Sequence, residues 1–150
     1  MRTVRRFRNL LAALFAASSG VVVTAQVAHA AAIACSNSSL ISAIATANST
    51  SGGGTVTLPG GCTFTLTAAN NATDGGTGLP VITGTVTITG SAATIARSSA
   101  SGIPAFRIFD VASSGRLTLN SVVLRNGLAN DGKNGGGAVN SHGTLVVSGG

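Results

Sequence analysis

The sequence predicts an all-β fold, a parallel β-helix of stacked coils (a solenoid) stoppered by an N-terminal capping α-helix. Paired apolar residues return at nearly constant spacing: Val56/Leu58, Val86/Ile88, Leu117/Leu119 and Leu145/Val147 lie 30, 31 and 28 residues apart. A second series, Phe64/Leu66, Ala93/Ile95 and Val122/Leu124, steps by 29 and 29, and a third, Val81, Val111 and Val139, by 30 and 28. Within each segment the apolar residues alternate with Thr, Ser or Arg, and a period of two sends one set inward and the other outward. Short strand signals recurring every few tens of residues are the mark of stacked coils, since no coil buries its apolar face alone.

The first element is an address. Residues 1–30 carry Arg2, Arg5, Arg6 and Arg8, an apolar run from Leu10 to Val27, and Ala28-His29-Ala30. A positive start, a greasy middle and a small-x-small end read as a secretory signal peptide cut after Ala30. Ser18, Ser19, Gly20 and Thr24 interrupt the run, which argues against a membrane span, and none is expected after cleavage.

Residues 31–54 form the expected cap. Ser36 to Ser39 offer N-cap oxygens, and Leu40, Ile41, Ile44 and Ala47 fall on one helical face. Asn48 and the run Ser49 to Gly54 stop the helix. Such a helix covers the apolar cross-section that a first coil exposes.

Residues 55–150 are the expected coils. Coil one runs through Thr55–Leu58 and Cys62–Leu66, coil two through Thr85–Thr89 and Ala93–Ala96, coil three through Arg116–Leu119 and Val122–Arg125. A fourth opens at Thr144–Val147 and is incomplete, which suggests the N-terminal piece of a longer protein. The links at 67–78, 98–104 and 128–136 are side loops, the usual place for binding chemistry. An antiparallel sandwich is the competing fold. The regular repeat and a lone Asn-Gly hairpin signal (Asn126-Gly127) weigh against it.

Charge and cysteine content narrow the function classes. The formal net charge is +6, but four of the arginines belong to the signal peptide. Residues 31–150 hold Arg97, Arg107, Arg116, Arg125 and Lys133 against Asp74, Asp110 and Asp131, or 5 − 3 = +2. With no basic cluster and no Tyr or Trp, a nucleic-acid partner is not implied. An exported chain meets oxidising conditions, so Cys35 and Cys62 are expected to form a disulfide, with two free thiols as the alternative.

Several short motifs invite chemistry, and each has a simpler structural reading. Residues 127–134 nearly spell a phosphate loop, but Asn134 stands where Ser or Thr is required and glycines follow where a helix should. Asn130, Asp131 and Asn134 offer oxygens for calcium, yet one carboxylate makes a weak site, and Asx turns explain the cluster as well. Ser141-His142 suggests a hydrolase, but adjacent strand residues face opposite ways. Arg97, Arg107, Arg116 and Arg125 do not share one repeat phase, so solvated strand-edge charges account for them better than a face for acidic polysaccharide. Asn120, Asn126 and Asn140 suit amide ladders at corners.

Gly136-Gly137-Ala138-Val139, followed by Asn140 and Gly143-Thr144-Leu145, resembles motifs of secreted bacterial right-handed parallel β-helix proteins of the pectin-lyase-like type. The chain is most similar within these to the polymorphic-outer-membrane-protein group of surface proteins. Residues 54–62 and 117–127 resemble its first and later coils. The resemblance implies a right-handed parallel β-helix. It transfers no catalytic residue, because Asp74, Asp110 and Asp131 sit on different links and do not repeat at the coil period. The expected protein is secreted or on the cell surface, structural or adhesive, and not an enzyme. It is expected to be a monomer without cofactor or metal, with an extracellular polysaccharide or cell-surface ligand as partner. The alternative is the N-terminal part of a polysaccharide lyase or glycoside hydrolase whose catalytic coils lie beyond Gly150.

Overall fold

The computed structural model describes residues 32–129 and 136–149. The signal peptide expected at 1–30 and the oxygen cluster at Asn130, Asp131 and Asn134 lie outside the described residues. One helix, α1 (Asn37–Ser49), is followed by strands β1 (Gly54–Thr57), β2 (Thr63–Leu66), β3 (Thr85–Arg97), β4 (Phe109–Val111), β5 (Arg116–Arg125), β6 (Val139–Ser141) and β7 (Thr144–Ser148).

The helix begins where its cap dictates. Ser36 is extended (φ −144°, ψ 149°), and its hydroxyl accepts from the Ser39 backbone N–H at 3.3 Å, which satisfies one of the first-turn donors. Leu40, Ile44 and Ala47 are buried in the same apolar core as the strand residues. At the far end Asn48 clamps the chain downstream: its Nδ2 donates to the Val81 carbonyl at 2.8 Å, and its Oδ1 accepts from the N–H groups of Thr83 and Gly84. The helix is therefore a working wall of the core.

β1, β3, β5 and β7 pair in that order in a five-stranded sheet, with β2 also on β3, while β4 and β6 form a separate two-stranded sheet. Every pairing between these strands is parallel, which removes the antiparallel sandwich. Inward residues stack by register: Val56, Ile88 and Leu119 in one column, Val86 and Leu117 in the next, Phe64 and Ile95 in a third, all essentially buried. Most outward positions of β1, β3 and β5 are polar, as period two requires, but Val123 and Val146 also face outward.

The expected all-β right-handed parallel β-helix is corrected by these elements to a mixed α/β fold: among the described residues, one helix and two unequal parallel sheets. The alternation and the repeat report parallel stacking, which many folds share, and do not specify how the sheets close. The first two strand series were expected as separate strands. In β3 and β5 they run on continuously through corners at Ala92 (φ 54°) and Ser121 (φ 53°). Of the third series, Val111 and Val139 lie in strands, whereas the bridge from the first turn is made by Ile82 and not by Val81.

Register also shifts by two residues at the first turn. Val56 lies beside Ile88, not Val86, and Gly54 takes the place beside Val86. The helix is the cause. A Cβ on Gly54 would stand 2.5 Å from the Ala47 Cα, so the helix fills the space that an inward side chain would need. A similar demand recurs at Gly115, where a Cβ would collide with the Ile82 carbonyl. Close backbone approach of neighbouring segments requires glycine there.

Cys35 and Cys62 are disulfide-bonded with Cα atoms 5.9 Å apart. The bridge ties the segment before α1 to the start of β2. No helix among the described residues is long and apolar enough to cross a membrane.

Candidate functional site

The parallel pairing of β4 with β6 places Asp110 directly beside Asn140. Asp110 is buried (1% exposed), and its Oδ1 accepts from Asn140 Nδ2 at 3.0 Å. Its Oδ2 is also buried and has no hydrogen-bond partner. A buried carboxylate oxygen without a donor is costly, because water's hydrogen bonds are lost and nothing replaces them.

His142 follows β6 and is held by its backbone N–H, which donates to the Val111 carbonyl at 2.8 Å. Its Nε2 lies 3.1 Å from Asn140 Nδ2. An amide nitrogen carries two hydrogens; with one on Asp110 Oδ1 and the other directed at the ring, Nε2 accepts, and a neutral ring keeps its proton on Nδ1. The Nε2 lone pair thus faces the cluster.

The third member, Asp74, arrives on a loop. Residues 67–78 fold back through the Asn71–Thr77 bridge, and Asn71 braces the loop with a bond from Nδ2 to the Leu79 carbonyl. Arg107, itself buried, donates from Nη1 to the Asp74 carbonyl at 2.8 Å and from Nε to the Gly136 carbonyl at 3.2 Å. The loop is anchored to the sheet where Thr77 pairs with Arg107. Asp74 Oδ2 then stands 3.7 Å from His142 Nε2. One potential ligand atom from each of Asp74, Asp110 and His142 lies within 4.8 Å of the others. A depression of about 350 Å³ lined by Asp74, Ala112, Ser113 and His142 opens the cluster to solvent.

Two carboxylates and an imidazole, graded from buried to exposed, are the residue types that could hold a cation. In the sequence these three residues carry no metal-site signal: the oxygens that suggest calcium are Asn130, Asp131 and Asn134, Ser141-His142 suggests a hydrolase, and the aspartates do not repeat against one another. The strand partner of Asp110 is Asn140, 30 residues later. Asp74 lies in a link already marked as a place for binding chemistry.

The other motifs resolve differently. Ser141 Oγ donates to the Gly143 carbonyl at 3.4 Å, a local contact with no role for the neighbouring ring. Arg97 donates to the carbonyls of Asn126 and Pro104 and lies over Phe106, 5.9 Å from the ring centroid. Arg107 is buried and Arg116 and Arg125 are exposed, so the arginines form no common face. Nor do the corner asparagines form a ladder: Asn120 accepts from Ser148 at 2.6 Å, Asn140 serves Asp110, and Asn126 turns the chain at φ 59°.

No family model, curated protein or solved structure matches the chain. Nothing in those comparisons ties it to the pectin-lyase-like or polymorphic-outer-membrane-protein groups that its motifs resemble.

Proposed function

We propose that this is a secreted or cell-surface protein with a structural or adhesive role, not an enzyme, and that it engages an extracellular polysaccharide or another hydroxyl-rich surface ligand. The observation that carries the reading is the outward face of the five-stranded sheet. Thr55, Thr87 and Thr118 stand side by side across three strands, with Val146 next in the row on β7, and Thr57, Thr89, Asn120 and Ser148 stand across four. Short hydroxyl and amide groups at strand spacing offer many donors and acceptors with little side-chain entropy to lose on binding. The disulfide supports an oxidising, extracellular setting.

The test is co-sedimentation of the purified chain with insoluble polysaccharides, comparing wild type with Thr87→Val/Thr118→Val. Saturable binding that the double variant loses supports the reading; binding to none, or equal binding by both, removes the polysaccharide partner. Uronate release from pectin or alginate by the wild-type chain would instead establish the enzyme alternative.

A further inference from the structure

We propose that Asp74, Asp110 and His142 bind a divalent first-row transition cation, with Zn²⁺ the representative ion. This goes beyond the surface-binding role and does not depend on it. Two observations meet at the same place. The three side chains bring one ligand atom each to within 4.8 Å of the others. Independently, Asp110 is 99% buried, and one of its carboxylate oxygens has no partner. A cation supplies what that oxygen lacks.

The donor set selects the ion. Two carboxylates and one imidazole match a three-ligand zinc site whose remaining position is open. Calcium takes about 6–8 oxygens, which these side chains do not provide, and imidazole favours transition ions. The two thiols that would otherwise compete are joined as a disulfide.

The distances are close to those that a bound ion requires. Ligand atoms about 2.1 Å from a tetrahedral ion lie about 3.4 Å from one another. Asp74 Oδ2 and His142 Nε2 are already 3.7 Å apart. Asp74 is exposed and on a loop, whereas Asp110 is buried in its strand. Asn140 remains as the outer support, donating to Asp110 Oδ1. Its contact with His142 Nε2 gives way to a coordinate bond. The open position faces the depression beside Ala112 and Ser113, where water completes the shell.

The experiment is calorimetric titration of ZnCl₂ into the full chain after chelator treatment, with Asp110→Asn and His142→Ala as variants and circular dichroism to verify folding. We expect saturable one-to-one binding, weakened about tenfold or more in each variant, and a melting temperature that rises more with Zn²⁺ in wild type than in the variants. Should Asp110→Asn fail to fold, Asp74→Asn, on the exposed loop, takes its place. Absence of saturable uptake, or undiminished affinity in the variants, overturns the site. So does loss in the aspartate variant but not in His142→Ala, or saturable binding of CaCl₂ with none of ZnCl₂, since either result describes an all-oxygen site.

Discussion

Asp110 is the residue on which the local electrostatics turn. It is buried with one oxygen on Asn140 and the other on nothing. Removing Asn140 leaves a second oxygen bare, so Asn140→Ala is expected to destabilise the metal-free chain by about 1–3 kcal/mol. Asp110→Asn has a smaller effect. It keeps an acceptor for Asn140 at nearly constant volume and exchanges one partnerless buried atom for another, so stability without metal is expected to change by less than about 1 kcal/mol. Urea unfolding measures both. A large loss in Asp110→Asn would show that the carboxylate meets a structural need that Asn140 alone does not explain. This pairing was half legible in the sequence. The 30-residue step from Asp110 to Asn140 is present, but an acid beside an amide carries no recognised motif, and Asp74 is delivered by a loop whose path depends on buried Arg107.

Among the elements, α1 contributes more than a lid. Its span, cap and buried face were readable from Ser36, Leu40, Ile44 and Ala47, because capping and helical periodicity are local properties. Its effect on register was not. Whether Gly54 or Val56 stands beside Val86 depends on what fills the space above, and that is Ala47. Asn48 shows the same distinction: it marks a helix stop in the sequence, but it lies inside α1, which ends at Ser49, and it clamps residues 81–84. Asn48→Ala removes three hydrogen bonds at once, and a loss of about 2 kcal/mol is expected by thermal or chemical denaturation. The strands divide sharply by position. Leu117 is fully buried in β5, between β3 and β7, and Leu117→Ala is expected to cost about 3 kcal/mol. Val147, on the strand that ends the sheet order, is 60% exposed, and Val147→Ala is expected to stay within about 0.5 kcal/mol. Equal costs at the two positions would contradict the sheet order.

At the scale of the molecule, parallel pairing at steps of about thirty residues organises everything else. Each pairing joins residues far apart in sequence, so the fold is built from non-local contacts, and cross-linking the N-terminal end matters. In the loop-closure account, the Cys35–Cys62 bridge, 27 residues in span, contributes about 3–4 kcal/mol. Reduction is therefore expected to lower the melting temperature clearly, and an unchanged melt would mean that α1 holds to the sheet without it. The parallel repeat was legible because inward Val, Ile and Leu must stack on their own kind. The fold class was not, because alternation leaves the closure of the sheets and the depth of the helix unstated. The same stacking that builds the core carries Asp110, Asn140 and His142 to one place, and the loop after β2 adds Asp74.

Diffraction at the zinc absorption edge, from crystals of the full chain grown with ZnCl₂, tests this convergence most directly. The account predicts one strong anomalous peak within coordination distance of Asp74, Asp110 and His142. A peak bound elsewhere, or none at that cluster in well-ordered crystals, would contradict it.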